Sequence, residues 1–180
     1  MRELEVKILN IDLNQMEEKI KKLGGKLIAK EVQVNTLIDS KDKYIEKNLD
    51  SYLRIRETRS ILEDSIKYTL TMKKNVEREA IRENIETNID ISDREAMIKL
   101  LENLGYFVYQ EGYKERTSYM LEGARLDLDT WDKDTYPYPY MEIEVKSEGD
   151  LEHMINKLSI FKENISTKSI LELRNELKLL

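Results

Sequence analysis

Residues 3–7 read Glu3-Leu4-Glu5-Val6-Lys7, and residues 142–146 read Glu142-Ile143-Glu144-Val145-Lys146. Each run alternates charged and apolar side chains without a break. Successive side chains of an extended strand point to opposite faces. Glu3, Glu5 and Lys7 therefore share one face and Leu4, Val6 and Ile8 the other, while Glu142, Glu144 and Lys146 oppose Met141, Ile143 and Val145. The intervening chain repeats the pattern. Arg54 and Arg56 alternate with Leu53 and Ile55, and Thr69, Thr71 and Lys73 with Tyr68, Leu70 and Met72. Lys114 and Arg116 form another such pair, and Arg125, Asp127 and Asp129 alternate with Leu126 and Leu128.

Working outward from these runs, alternation predicts strands over 2–9, 26–38, 51–57, 66–74, 80–89, 113–121, 124–131 and 140–146. Helical spacing predicts a helix over 12–23, with Met16, Ile20 and Leu23 on one face and Gly24-Gly25 ending it. A second helix is expected to open at Ser92, with Glu95 completing a capping box, and to run to Gly105. The tail from Asp150 to Leu180 reads as two short helices. Ile8-Leu9-Asn10-Ile11-Asp12 before the first helix is echoed by Thr87-Asn88-Ile89-Asp90 before the second, a loose repeat of about 1–75 and 80–146.

Half-buried antiparallel strands ordinarily turn charges toward water. Here acids gather on the first and last strands and near 127–129, whereas the strands between carry mainly bases. The amphipathic helices also need apolar partners, which the apolar strand faces supply. If helices cover the outside of a closed sheet, the charged faces must point into it. Clustered Arg and Lys suit phosphate oxygens. Grouped carboxylates would repel that polyanion unless a divalent cation joined the two.

Composition narrows the chemistry. The chain has 180 residues, a size for one sizeable core, and 37% of them are charged, against about a quarter in an average protein. A net charge of −6 argues against nucleic acid as the main partner. There is no cysteine, which excludes thiolate metal sites and thiol catalysis, and the lone histidine, His153, excludes a His-rich zinc site. A metal would therefore sit among carboxylates, which suits Mg²⁺ or Mn²⁺. His153 lies in an expected surface helix and reads as a bystander. No Walker loop occurs, no run approaches 18 apolar residues, and the N-terminus does not read as a signal peptide; a cytoplasmic protein without a membrane partner is expected, as monomer or homodimer.

In this combination the chain resembles the CYTH family, the triphosphate tunnel metalloenzymes. The resemblance rests on the E-x-E-x-K run Glu3-Leu4-Glu5-Val6-Lys7, on Leu53-Arg54-Ile55-Arg56, on Leu70-Thr71-Met72-Lys73 and on Arg82-Glu83-Asn84-Ile85-Glu86. Lys114-Glu115-Arg116, Arg125 with Asp129, Glu142-Ile143-Glu144 and the tail Ser169–Leu173 complete it, so that it spans nearly the whole of residues 1–180 as one domain. It implies an α+β fold: a closed eight-stranded antiparallel β-barrel with helices packed outside. By the same resemblance Glu3, Glu5, Glu142 and Glu144 would be metal ligands, helped by Glu86 and Asp129. Lys7, Arg54, Arg56, Lys73, Lys114, Arg116 and Arg125 would grip a triphosphate, with Arg82 joining them. Glu5 and Glu144 would be central to catalysis, with Lys7 on the phosphate nearest the reaction.

Three departures stand out. Asn84 occupies a position where many members carry an acid, Lys73 is followed by Lys74-Asn75 instead of Gly-Pro, and Tyr136-Pro137-Tyr138-Pro139-Tyr140 replaces the glycine-rich turn frequent in cyclase-like members. Function remains open among three readings. The first is a hydrolase of tripolyphosphate, thiamine triphosphate or a nucleoside triphosphate such as ATP, toward which the replaced turn tilts. The others are an adenylate cyclase releasing pyrophosphate and a phosphate-chain sensor without turnover.

Overall fold

The computed structural model describes residues 2–76 and 82–177, with the side chains of Arg2, Glu3 and Arg82 left aside. Eight antiparallel strands make the barrel: β1 (Arg2–Ile8), β2 (Lys26–Ser40), β3 (Ser51–Ser60), β4 (Ser65–Val76), β5 (Arg82–Ile91), β6 (Tyr106–Leu121), β7 (Ala124–Trp131) and β8 (Tyr140–Val145). Their order is β5-β4-β3-β2-β6-β7-β8-β1, and antiparallel pairing of β1 with β5 closes the ring. The order is unchanged when β1–β4 are exchanged with β5–β8. A short strand, β9 (Ile165–Ser166), pairs with Lys7 and Ile8 on β1 beyond the reach of β5.

Why the charged faces turn inward follows from what covers the outside. Helices α1 (Leu13–Lys22) and α4 (Glu148–Lys157) lay Ile20, Leu151 and Met154 on Val6, Ile8, Leu126, Met141 and Ile143, all buried. Helix α3 (Arg94–Asn103) packs Met97, Ile98 and Leu101 on Ile38, Ile55 and Leu70. Placing these aliphatic faces against helices removes them from water, worth about 25 cal/mol per Å² of apolar surface. Strict alternation then fixes the opposite face as the interior, where Glu5, Lys7, Lys73, Lys114, Arg116, Asp127 and Asp129 are all buried. No described helix is long and apolar enough to cross a membrane.

Helix ends account for most differences from the expected boundaries. Asp12 caps α1 by accepting the Gln15 amide at 3.0 Å, and Gly24, at φ +90°, ends it. Helix α3 is capped by Asp93, not Ser92: its carboxylate accepts the Ala96 amide at 3.0 Å, and Glu95 turns aside to Arg94. Helix α2 (Tyr44–Leu49) carries no local cap; Asp39, several residues upstream, accepts the amides of Ile45 and Glu46 at 2.9 and 3.0 Å. Strand β6 begins at Tyr106 and not near 113, because its pairing with β2 slips between Leu37–Gln110 and Ile38–Val108. The slip breaks the alternation by which a strand is recognised. Helix α5 (Ile170–Leu177) packs Leu173 against Tyr136 and Tyr140.

Candidate active site

The barrel encloses a cavity of about 440 Å³, within the range that holds a small charged ligand. Glu5, Lys7, Arg54, Arg56, Lys73, Glu86, Lys114, Arg116, Arg125, Glu142 and Glu144 all line it, so strand parity brings these expected site residues to one wall. Two others stand apart from this test. The side chains of Glu3 and Arg82 lie outside the described residues. Asp129 is fully buried behind the lining, where both its oxygens are engaged by Arg116 and Lys114.

The wall is divided by charge. On the strands, carboxylates come from β1, β5, β7 and β8 and cations mainly from β3, β4 and β6, and the two groups meet as buried pairs. Lys7 Nζ stands 3.2 Å from Glu142 Oε1, and Lys73 Nζ lies 2.9 Å from Glu86 and 3.4 Å from Glu5. Arg116 is the hub, reaching Asp127 at 2.6 Å, Glu142 at 2.6 Å and Asp129 through two bonds of 2.7 and 2.5 Å. Lys114 donates to Asp129 at 2.9 Å with its ammonium 5.1 Å from the centre of the Trp131 ring. Arg125 donates to Asp127 at 2.9 Å and to the Ser118 hydroxyl at 3.2 Å.

Arg54 and Arg56 are different. Neither forms an ion pair with a carboxylate among the described residues. Arg56 donates to the Asn35 carbonyl oxygen at 2.8 Å. Arg54 has a buried Nε without a hydrogen-bond partner, and its guanidinium carbon sits 5.6 Å from the Tyr52 ring centre. A buried donor left unmade costs about 1–3 kcal/mol. The Arg54 Nε is thus a donor with unused capacity, on a side chain that lines the cavity.

Protonation follows from this crowding. Burial, then Arg54 and Arg116, press the Arg56 guanidinium down to about 9, still charged at neutral pH. Burial and then Arg116 pull the Lys114 ammonium down to about 7, while Asp129 pulls the other way. Burial alone would raise the Glu86 carboxyl, but Lys73 and then Arg54 outweigh it and hold the group at about 2. Glu142, buried but faced by Lys7, Arg116 and Lys114, lies well below the usual carboxylate range, and Asp127 is lowered against its burial by Arg116 and Arg125. The carboxylates are thus ready to meet a cation, and the surplus of positive charge near Arg54, Arg56 and Lys114 is ready to meet an anion.

The donor set fits a hard divalent cation. Glu5 and Glu144 stand directly opposite each other across β1 and β8. Such opposed residues have Cβ atoms roughly 4.5–5.5 Å apart, and like charges there are destabilising without a counter-ion. Among the described residues no group of three or more acids gathers as a ready-made cage. Mg²⁺ does not ask for one, since it keeps waters and binds through one or two carboxylates plus substrate phosphates.

Several residues at or behind the lining were given no site role by the sequence reading. Asn35 occupies an inward position of β2 and its uncharged amide gave no signal among apolar neighbours. Asn84, noted for replacing an acid, is buried and donates to Glu5 at 2.8 Å. Tyr140, which lines the cavity, accepts from Trp131 at 2.8 Å and meets Tyr136 edge-on, rings 5.9 Å apart, and both tyrosines pack with Leu173 of α5. Ser169–Glu172 and Arg174 of the tail line the same cavity, a placement that only the tertiary fold decides. His153 is an exposed partner of Glu122 at 2.8 Å, far from this chemistry.

A family model for the CYTH domain matches residues 1–172. The protein named "Putative adenylate cyclase MJ0240" from Methanocaldococcus jannaschii is 31% identical over 185 residues, covering 97% of this chain and 99% of that protein. Among solved structures, PH1819 from Pyrococcus horikoshii OT3 shares the fold with a TM-score of 0.78 at 24% identity, over 97% of this chain and 99% of the other. HpAC1 from Hippeastrum, named a "Putative adenylyl cyclase" and described as revealing a dominant triphosphatase activity, shares it at 0.71 with 18% identity, over 99% of this chain and 97% of the other. The chain belongs to the CYTH domain family.

Proposed function

We propose that this CYTH-domain protein is a divalent-metal-dependent triphosphatase that binds its substrate inside the barrel and hydrolyses a phosphoanhydride bond. The facing carboxylates Glu5 and Glu144, set in one enclosed cavity with Arg54, Arg56, Lys73 and Lys114, carry this reading. Glu5 and Glu144 would hold Mg²⁺ or Mn²⁺, with Glu142 and Glu86 close by. Bound there, the metal supplies Lewis-acid polarisation of a phosphoryl oxygen and lowers the pKa of bound water.

The chain's own side chains do the rest. Arg54 and Arg56 take phosphate oxygens without first giving up a carboxylate partner, and Lys73 and Lys114 complete the grip. Lys7, now 3.2 Å from Glu142, is placed to contact the phosphate nearest the acids. Asp129 and Glu142 hold Arg116, and with it the acidic wall, in register. In the reaction one anhydride P–O bond breaks, the water oxygen forms the new P–O bond, and its proton leaves to solvent. The fixed cations stabilise the charge that develops on the leaving phosphate.

The test is incubation with ATP and, separately, tripolyphosphate, each with Mg²⁺ or Mn²⁺, resolving products by ion-exchange chromatography. Metal-dependent release of inorganic phosphate is expected, and Glu144→Gln should reduce it by at least about a hundredfold, in the range for losing one preorganised charge-stabilising group. Full metal-dependent activity in that variant would remove Glu144 from its assigned role. Cyclic AMP with pyrophosphate would establish the cyclase instead.

A further inference from the structure

On the inward face of β2, Asn35 stands between Arg56 of β3 and Gly112 of β6. It lines the cavity and is 4% exposed. Its amide oxygen accepts from Arg56 Nε at 2.8 Å. A guanidinium only donates, so this bond fixes which end of the planar amide faces Arg56. The other end, Nδ2, is buried and has no hydrogen-bond partner among the described residues. Gly112, on the far side, has no side chain to offer it. Buried amides are rarely left this way, because the unmade bond costs free energy that water would have returned.

The contrast with Arg116 shows what the amide does. Arg116 is bound by Asp127, Asp129 and Glu142, an ion-pair network already closed. A carboxylate at position 35 would close Arg56 in the same way. A cation there would add to the repulsion that Arg54 and Arg116 already exert on Arg56. The neutral amide avoids both. It holds the guanidinium by Nε and leaves the remaining guanidinium nitrogens, together with its own Nδ2, as unused donors. Arg54, opposite Leu37 on the next inward rung, adds a buried Nε. Unused donors thus gather on one stretch of the β2–β3 wall. An anion with several oxygen acceptors in one group uses them together.

We infer that Asn35 is a substrate ligand in its own right, donating from Nδ2 to an oxygen of the phosphoryl group that Arg56 grips. The inference rests on the triphosphatase reading only in that a phosphate chain occupies the cavity. The charge comes from Arg56 and the direction from Asn35, since an amide hydrogen bonds along one line whereas a cation attracts from many sides. The amide is itself tied to the guanidinium, so the two donors approach the phosphoryl group as one rigid unit. Two fixed donors on one phosphoryl group hold its orientation as well as its position.

The direct test follows the Asn35 side-chain amide by NMR in isotope-labelled full-length protein, titrated with Mg²⁺ and the methylene-bridged analogue of ATP, whose P–C–P link resists hydrolysis. The Nδ2 hydrogens should move downfield as the ligand saturates. Signals unmoved by a ligand that binds would overturn the inference and leave Nδ2 to Gln33 Oε1, another unpaired buried atom on this face of β2. Calorimetry with the same ligand reads the affinity. Asn35→Asp keeps the shape and the acceptor for Arg56 but not the donor, and should weaken binding at least about tenfold, the low end for one hydrogen bond to a charged group. Because the new charge also repels phosphate, the neutral Asn35→Leu is measured alone and with Arg56→Met. A ligand residue still costs affinity when Arg56 is gone; one that acts only through Arg56 costs nothing there, which would overturn the inference. Should a variant fail to fold, the wild-type amide signal alone decides. Binding through Asn35 without cleavage of any triphosphate would end the triphosphatase reading and keep this one, and no binding at all would end both.

Discussion

Asp129→Asn removes one negative charge from a fully buried position and leaves the shape unchanged. The carboxylate accepts from Arg116 at 2.7 and 2.5 Å and from Lys114 at 2.9 Å. An asparagine would turn its amide hydrogens toward at least one of these donors. Breaking a buried ion pair on one side typically costs about 3–5 kcal/mol, because an uncompensated charge stays inside. The loss should depend on pH, and its sign can be worked out. Lys114 titrates near 7 in the folded protein, held down by burial and Arg116 and supported by Asp129. Unfolded, it titrates near the ordinary lysine value of about 10.4. Between these limits the unfolded chain binds more protons, so the Lys114 contribution makes stability rise with pH. Below pH 7 Lys114 is charged and the variant loses the full attraction to Asp129. Above it the wild-type lysine is already neutral, and only the Arg116 contacts are lost. Urea unfolding at pH 6 and pH 9 should therefore give a larger destabilisation at pH 6. A loss under about 1 kcal/mol at pH 6, or one that grows toward pH 9, would refute the assignment of Asp129 as the anchor of both cations.

Three further outcomes are expected. Arg54→Ala should weaken binding of a metal–triphosphate complex by about 1.5–3 kcal/mol, the worth of a hydrogen bond to a charged group, and leave unfolding near wild type because no ion pair is broken; calorimetry and urea denaturation read the two. Arg116→Ala, by contrast, strips the shared partner from Asp127, Asp129 and Glu142, so its loss should appear first as destabilisation of about 3–5 kcal/mol, read by the same unfolding curves. Gly112→Ala would place a Cβ 2.4 Å from Thr135 Oγ1. The connector before β8 must then move, costing about 1–3 kcal/mol, or roughly 2–12 °C in melting temperature at this chain length.

The barrel was readable because its physics is periodic. Once helices were expected outside, the apolar parity of β1, β7 and β8 forced Glu5, Asp127 and Glu144 inward, and the structure places them there. What escaped was aperiodic. Helix α2 depends on Asp39 reaching forward to Ile45 and Glu46, a contact set by the end of a strand and not by a neighbouring cap residue. The first turns of β6 hid behind the bulge at Tyr109, which breaks the alternation and also gives that tyrosine its position in the cavity. Asp129 shares its inward parity with Asp127, and nothing in the spacing reveals that one lines the cavity while the other stands behind Arg116 and Lys114.

Without ligands the cavity neutralises itself, and the pattern of that neutralisation bears on what it binds. Lys73 holds Glu5 and Glu86, and Lys7 holds Glu142. A triphosphate arriving alone would draw Lys73 from Glu5, the acid that faces Glu144, and so weaken the neutralisation of that acid pair. A metal arriving alone would bind those two acids and leave Lys73 short of one partner. Arriving together, each ion takes the partner that the other releases, so each should raise the affinity for the other by the same factor. Two neutral amides keep the exchange possible. Asn35 orients Arg56 and Asn84 orients Glu5, each through a 2.8 Å bond, without cancelling the charge they hold. An acid in place of Asn84 would set a second carboxylate beside Glu5 and could no longer donate to it. The amide at that position would therefore be part of how this barrel presents Glu5 to the proposed cation.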